Sequence, residues 1–321
     1  MSENVHDIKK LRELQALPLE RKILVTQARI TEWYLRYKGQ VSVSFSGGKD
    51  STVLLHIARQ CFPDIRAVFV DTGLEYPEIR EFVKTIDNVT WVKPKMNFRQ
   101  VISTYGYPVA SKELSRKIHY AKKGSAWATK YVDGSAIDSD GRPSRYRVTA
   151  RWLKLLDAPF EVSDYCCNVM KKRPLQEYHK ATGDKPITGI MADESSLRTN
   201  AWLKTGCNSF DTKKPMSKPM SFWTEQDVLQ YLKRYNLPYC SVYGDIVECE
   251  TTGLLKTTGA ARTGCMFCMF CMFGCHLEKE PNRFQKMKET HPKIWDYCMK
   301  PFDKGGLGLK EVLDYIDVKY E

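Results

Sequence analysis

The stretch best equipped for chemistry is Ser46-Gly47-Gly48-Lys49-Asp50-Ser51. It follows the β-branched and aromatic run Val41-Ser42-Val43-Ser44-Phe45 and precedes the helical-looking Thr52-Val53-Leu54-Leu55-His56-Ile57-Ala58. A strand turning through two glycines into a helix gathers backbone N–H groups beside the positive end of the helix dipole, which suits a phosphate. Ser46 and Ser51 add hydroxyls, and Lys49 adds a point charge. Only two glycines precede the lysine, so this is not the G-x-x-x-x-G-K-[ST] loop. The plain alternative is a glycine turn that merely joins strand to helix.

The second chemical feature is sulfur. The chain has 11 cysteines, unevenly placed: Cys166 and Cys167 are adjacent, and Cys265, Cys268, Cys271 and Cys275 are crowded. Gaps of two and three residues suit metal ligation better than a disulfide framework and point to a reducing, cytoplasmic setting. The last four match the C-x2-C-x2-C-x3-C spacing of bacterial ferredoxins, with His276 in place of the proline. The repeated Met-Phe-Cys triplet at 266–271 suggests that one cysteine is a duplicated spare. Zinc is the alternative metal. His276 is a candidate ligand or a hydrogen bonder behind the ligands. Cys61, Cys207, Cys240 and Cys249 suit small buried hydrophobes.

These groups need elements to position them. Residues up to about Gly39 carry Leu11, Leu14 and Leu17 at helical intervals, then Leu24, Ala28, Ile30, Trp33 and Leu35, with a break at Pro18. After the loop and its helix, Ile65–Val70 predicts a second strand ending at Asp71-Thr72-Gly73. Pro77–Val83 begins a helix with proline in its first turn, and Val89–Val92 gives a third strand. A fourth, Pro186–Met191, leads into Ala192-Asp193-Glu194-Ser195, and a helix follows Ser221-Phe222-Trp223-Thr224. Strands alternating with helices predict an α/β, doubly wound, mostly parallel sheet whose ligands sit beyond the carboxyl ends of the strands. The loop and Asp71-Thr72 then face one crevice. The expected organisation is a helical segment over 1–39, a nucleotide-binding domain over 40–240 with a basic insertion at about 111–164, and a cysteine-rich region over 241–321 packed on the same domain. Residues Gly124 to Pro143 read as an exposed loop or hairpin.

Composition is ordinary for a globular chain: 42% hydrophobic and 27% charged over 321 residues. The formal charge of +12 fits an anionic partner, a nucleotide or a nucleic acid. No apolar h-region opens the sequence and no 18-residue apolar run occurs, so neither secretion nor a membrane partner is expected.

Several motifs, in order, resemble the phosphoadenylyl-sulfate reductase family within the PP-loop ATP pyrophosphatases. They are Phe45–Ser51, Val70-Asp71-Thr72-Gly73-Leu74-Glu75-Tyr76-Pro77-Glu78, Cys166-Cys167 with Lys171-Lys172-Arg173-Pro174-Leu175, Gly189–Ser195 with Arg198, and Phe222-Trp223-Thr224 with Leu237-Pro238-Tyr239. The resemblance spans about residues 40 to 275. It implies an adenine-nucleotide alpha-hydrolase-like fold and, in cluster-bearing members, a [4Fe–4S] centre on an adjacent cysteine pair and a later C-x-x-C. Here that set is Cys166, Cys167, Cys265 and Cys268, with Cys271 and Cys275 as alternates. Members acting on an activated sulfonucleotide usually have a degenerate loop, whereas this chain keeps the full set, as ATP-using members do. Family reductases also carry a nucleophilic cysteine in a Glu-Cys-Gly-x-His tail, where this sequence reads Asp317-Val318-Lys319-Tyr320-Glu321.

The roles expected from this are specific. Gly47, Gly48, Ser46 and Ser51 hold a pyrophosphate, and Lys49 neutralises charge on the leaving phosphates. Asp50 orients the loop, holds Mg²⁺ or caps the helix. Asp71 and Thr72 lie near ribose or adenine. Arg198 and Arg262 are anion contacts or surface salt bridges. The favoured reaction is ATP-dependent adenylation coupled to sulfur transfer, with a sulfur- or electron-donor protein as partner. The alternatives are adenylyl- or phosphoadenylyl-sulfate reduction, and a regulatory nucleotide binder without turnover. Lys112–Lys117 and Lys122-Lys123, interleaved with Tyr120, Trp127 and Tyr131, suit either a nucleic-acid acceptor or a solvated helical face.

Overall fold

The structure, a computed structural model, describes residues 6–270 and 274–321. In chain order its helices and strands are α1 (Ile8–Gln15), α2 (Leu19–Arg36), β1 (Val41–Ser44), α3 (Lys49–Cys61), β2 (Arg66–Val70), α4 (Pro77–Lys84) and β3 (Val89–Val92). Next come α5 (Phe98–Tyr105), α6 (Lys112–Lys122), α7 (Ala126–Val132), α8 (Ala150–Leu153), α9 (Tyr165–Cys167), α10 (Arg173–Thr182), β4 (Lys185–Thr188) and α11 (Ser196–Thr205). The chain closes with β5 (Asn208–Ser209), β6 (Met216–Ser217), α12 (Glu225–Arg234), β7 (Ile246–Glu248), β8 (Leu255–Thr257), α13 (Arg283–Thr290), α14 (Pro292–Met299) and α15 (Leu309–Tyr315). These fall into two compact units. One comprises Met1–Asp71, Glu75–Lys93 and Pro174–Thr263; the other comprises Thr72–Leu74, Pro94–Arg173 and Gly264–Glu321.

The first unit is built on a six-stranded sheet of order β3-β2-β1-β4-β6-β5. The β1–β2, β1–β4, β2–β3 and β4–β6 pairs are parallel, with Val43 opposite Ala67 on one side and Ile187 on the other; only β5 runs antiparallel, against β6. This is the doubly wound α/β class. Val43, Ala67 and Ile187 are fully buried, as a sheet covered on both faces requires. Against it pack Val53, Leu54 and Ile57 of α3 and Ile79 and Val83 of α4. The expected break at Pro18 is present: Pro18 is the residue before α2. Thr224 caps α12 reciprocally with Asp227, as the sequence indicated. The short β5 and β6 and the β7–β8 hairpin carry too few residues to show a period, and the sequence did not reveal them.

The second unit is helical, with Val101, Ile102, Ile118, Leu155, Phe284, Leu309 and Leu313 buried. One expectation needs correction here. Residues 124–143 are not simply loop or hairpin, because α7 occupies Ala126–Val132. Gly124, at φ 74°, ends α6. Ala128 is then fully buried, and Trp127 meets Tyr120 at 5.8 Å and Tyr131 at 6.0 Å between ring centroids. Ring packing sustains a short helix that the surrounding lysines obscure in sequence. Only an isolated antiparallel bridge, Ile137 to Pro143, remains of the hairpin.

Candidate nucleotide site and cysteine cluster

β1 ends at Ser44 and α3 begins at Lys49, so the loop lies at the carboxyl end of a central strand, where open α/β sheets bind ligands. Gly47 has φ 71°, and a Cβ there would stand 2.8 Å from Val83 and 2.9 Å from Ile79. The position therefore requires glycine twice over, by conformation and by the close approach of α4. Two serines brace the turn. Ser46 N–H donates to Ser51 Oγ at 3.2 Å, Gly48 N–H donates to Ser46 Oγ at 3.3 Å, and the two hydroxyls lie 3.0 Å apart. Ser51 and Thr52 hydroxyls both donate to the Gly48 carbonyl.

Lys49 is almost wholly buried. Its ammonium donates to the Ala261 carbonyl at 2.6 Å and pairs with Glu225 Oε1 at 3.0 Å. Its backbone N–H donates to the Tyr243 hydroxyl at 3.3 Å, which lies 2.6 Å from Thr263 Oγ1. Burial pushes the Tyr243 hydroxyl up to about 12, so it keeps its proton at neutral pH. Asp50 Oδ1 is buried without a hydrogen-bond partner among the described residues. Burial raises its carboxyl, against the pull of Lys49 and Arg262. Glu194 joins both candidate arginines: Oε1 meets Arg262 Nη1 at 3.0 Å, Oε2 contacts Arg198, and Oε2 also accepts the Met191 N–H at 3.2 Å.

The structure thus gathers Ser46, Gly47, Gly48, Lys49, Asp50 and Ser51 at one turn, and joins Arg198 to Arg262 through one carboxylate. Asp71 is buried and bonded to Arg80 at 2.9 Å. Thr72 belongs to the second unit, where its hydroxyl accepts the Leu74 N–H at 3.1 Å. Tyr243, Glu225 and Glu194 are the residues that sequence reasoning missed. Glu194 stood inside a motif already noted and Glu225 directly follows one, whereas Tyr243 reaches Lys49 across 194 positions with no local signal.

The described candidate ligand cysteines, Cys166, Cys167, Cys265, Cys268 and Cys275, lie in the second unit. Cys166, in α9, is buried; burial above all, then the neighbouring Cys265 and Cys167 sulfurs, pushes its thiol up. Cys268 N–H donates to the Cys265 carbonyl at 3.2 Å, and Cys268 Sγ accepts the Phe270 N–H at 3.3 Å. Cys275 is also buried, its thiol raised by burial to about 12, but the charges beside it are Arg283 and Glu278. Cys271 lies outside the described residues. His276 packs edge-on to Trp152 at 4.7 Å, and its Nδ1 has no hydrogen-bond partner among the described residues. Cys61, Cys166, Cys167, Cys207, Cys240, Cys249, Cys275 and Cys298 form no disulfide among the described residues.

Among the described residues, no group of three or more His, Cys, Asp or Glu is gathered closely enough to hold a metal ion. The donor chemistry does fit a thiolate-bound centre. Cys265 and Cys167 stand near enough to Cys166 to help raise its thiol, and Met266, Phe267, Met269 and Phe270 are buried in the segment that carries Cys265 and Cys268. No helix among the described residues is long and apolar enough to cross a membrane.

The phosphoadenosine phosphosulfate reductase domain model matches residues 40–129 and 141–270, well over half of the chain. The chain belongs to that family. The phosphoadenosine 5′-phosphosulfate reductase of Xylella fastidiosa is 24% identical over 229 residues, covering 71% of this chain and 78% of the relative. The adenosine 5′-phosphosulfate reductase of Staphylococcus haemolyticus is 25% identical over 215 residues, 67% of this chain and 70% of the relative. A crystal structure of phosphoadenylyl-sulfate reductase from Candida auris, in a phosphate complex, aligns over 75% of this chain and 92% of that one, with TM-score 0.40 and 14% identity. Family membership makes this chain an enzyme of the phosphoadenosine phosphosulfate reductase family.

Proposed function

We propose that the chain binds ATP with its pyrophosphate in the Ser46–Ser51 loop and uses it to adenylate an oxygen on an acceptor. A sulfur nucleophile then attacks the activated carbon and AMP departs. The observation that carries this reading is the complete loop, with glycine required at 47 and a buried ammonium from Lys49 beside the helix N-terminus. Lys49 offsets charge on the departing pyrophosphate, exchanging Glu225 and the Ala261 carbonyl for phosphate oxygens. Asp50, with its buried unpaired Oδ1, is the group suited to Mg²⁺. Arg198 and Arg262, already drawn together by Glu194, are suited to a further anionic group.

Cys166, Cys167, Cys265 and Cys268, with Cys271 and Cys275 as alternates, would hold a [4Fe–4S] cluster. When bound, such a centre binds sulfur or passes electrons. Iron and acid-labile sulfide at about four each per chain support this assignment, and stoichiometric zinc contradicts it. The second reading is reduction of a sulfonucleotide with a thiol supplied by a donor protein. What favours it is that the relatives compared are named as reductases.

The test is anaerobic turnover of the intact protein with Mg²⁺-ATP and sulfide and, separately, with phosphoadenylyl sulfate and a dithiol. Formation of AMP and pyrophosphate from ATP supports adenylation. Sulfite release from the sulfonucleotide, with ATP untouched, overturns it in favour of reduction.

A further inference from the structure

The second unit carries a surface that neither the loop nor the cysteines employ. α6, α7 and the segment 133–149 expose Lys112, Arg116, Lys123, Lys130, Arg145 and Arg147. None of these six has a carboxylate within 4.0 Å among the described residues. Instead, two of them lie against rings that are themselves exposed. The Arg116 guanidinium is 5.4 Å from the centre of Trp127, which is 41% exposed, and the Arg145 guanidinium is 5.1 Å from the centre of Tyr146, which is 51% exposed.

This face is firmly backed. Buried Lys117 bonds Glu113 and the Tyr146 carbonyl, and its ammonium lies 4.3 Å from the Tyr131 ring and 5.8 Å from the Tyr146 ring. Tyr120, Trp127, Tyr131 and Tyr146 therefore form a connected series fixed to α6 from behind. Flat rings on a rigid support, flanked by guanidinium and ammonium groups that form no ion pair (Asp138 and Asp133 stand near Arg145 and Lys130 but beyond that distance), combine stacking with phosphate attraction. A duplex keeps its base faces stacked inside the helix, where exposed rings cannot reach them, whereas a single strand offers base faces and phosphates together.

We propose that this face binds single-stranded nucleic acid. Bases stack on Trp127 and Tyr146, and phosphates meet Arg116, Lys123, Lys130 and Arg145. The inference stands apart from the ATP reading, because it concerns other residues and is read without turnover.

The experiment is fluorescence anisotropy of the full chain with labelled oligo-dT and oligo-rU of about 20 nucleotides, longer than one stacking site. A matched duplex and anionic lipid vesicles serve as competitors. With three or four phosphates engaged, raising salt fourfold weakens binding about 20- to 50-fold. Trp127→Ala and Tyr146→Ala each weaken it about tenfold, whereas Trp127→Phe, which keeps a ring, retains most of the affinity. Arg116→Gln with Lys130→Gln lowers the salt dependence while circular dichroism stays unchanged. Binding to either strand supports the proposal, and the tighter of the two identifies the sugar. Equal affinity for the duplex, displacement only by vesicles, or Ala variants that bind like the parent protein would overturn it.

Discussion

The cations of the two units are held in opposite ways. In the first unit Lys49 is locked on Glu225 and a backbone carbonyl, and Arg198 and Arg262 are locked on Glu194. In the second, Arg116 and Arg145 lie on exposed rings and form no ion pair among the described residues. The difference separates two kinds of anion recognition. Carboxylate partners keep a few cations aimed and partly neutralised until one small, highly charged ligand takes their place. Unneutralised cations beside rings raise a local potential suited to a long, flexible polyanion.

The largest effect expected on that contrast is at Lys49. Lys49→Ala should lower turnover by about 100-fold, the loss typical of removing one preorganised donor to developing charge. Steady-state rates with saturating nucleotide would show it, and an unchanged rate would make Lys49 a structural lysine. Next is the carboxylate between the arginines. Glu194→Gln should cost about 1 kcal/mol, since both arginines are about two-fifths exposed and solvent screens much of the pairing. Denaturant unfolding measures it.

Asp50→Asn tests the buried carboxylate. Burial raises the folded-state value above the ordinary 3.8, so the folded chain holds this proton more tightly than the unfolded one does. Ionisation is therefore a penalty that is present at neutral pH and disappears as pH falls through the carboxylate range. The variant should unfold later than the parent at pH 7, with the gap closing on acidification. A gap independent of pH would place the effect elsewhere. The smallest effect is the contrasting one in the second unit. Arg116→Gln should cost only about 0.5 kcal/mol, because the one contact it loses is with the exposed Trp127 ring, where water weakens the attraction.

Much of this architecture was legible in the sequence. The alternation of short β-branched stretches with helical periods marked β1 to β4 and α2 to α4, most clearly at β2, where Ala67-Val68-Phe69-Val70 is continuously apolar. The loop was legible because Gly47 and Gly48 interrupt such a run beside a lysine. What escaped notice depends on distance along the chain or on packing. Tyr243 meets Lys49 only because the fold brings residues 194 positions apart into contact. The helix at 126–132 was hidden because ring contacts, rather than a hydrophobic stripe, sustain it. Asp71 kept its predicted place at the end of β2, but its partner Arg80 stands on α4, where sequence spacing alone does not assign it.

The central claim is that the loop is kept for a pyrophosphate. It is tested most directly by equilibrium titration of anaerobically purified protein with ATP and with phosphoadenylyl sulfate, both with Mg²⁺. The account predicts that ATP binds at least about tenfold more tightly, a difference near 1.4 kcal/mol, and that Lys49→Ala removes the preference. Tighter binding of the sulfonucleotide, unaffected by Lys49→Ala, would contradict it.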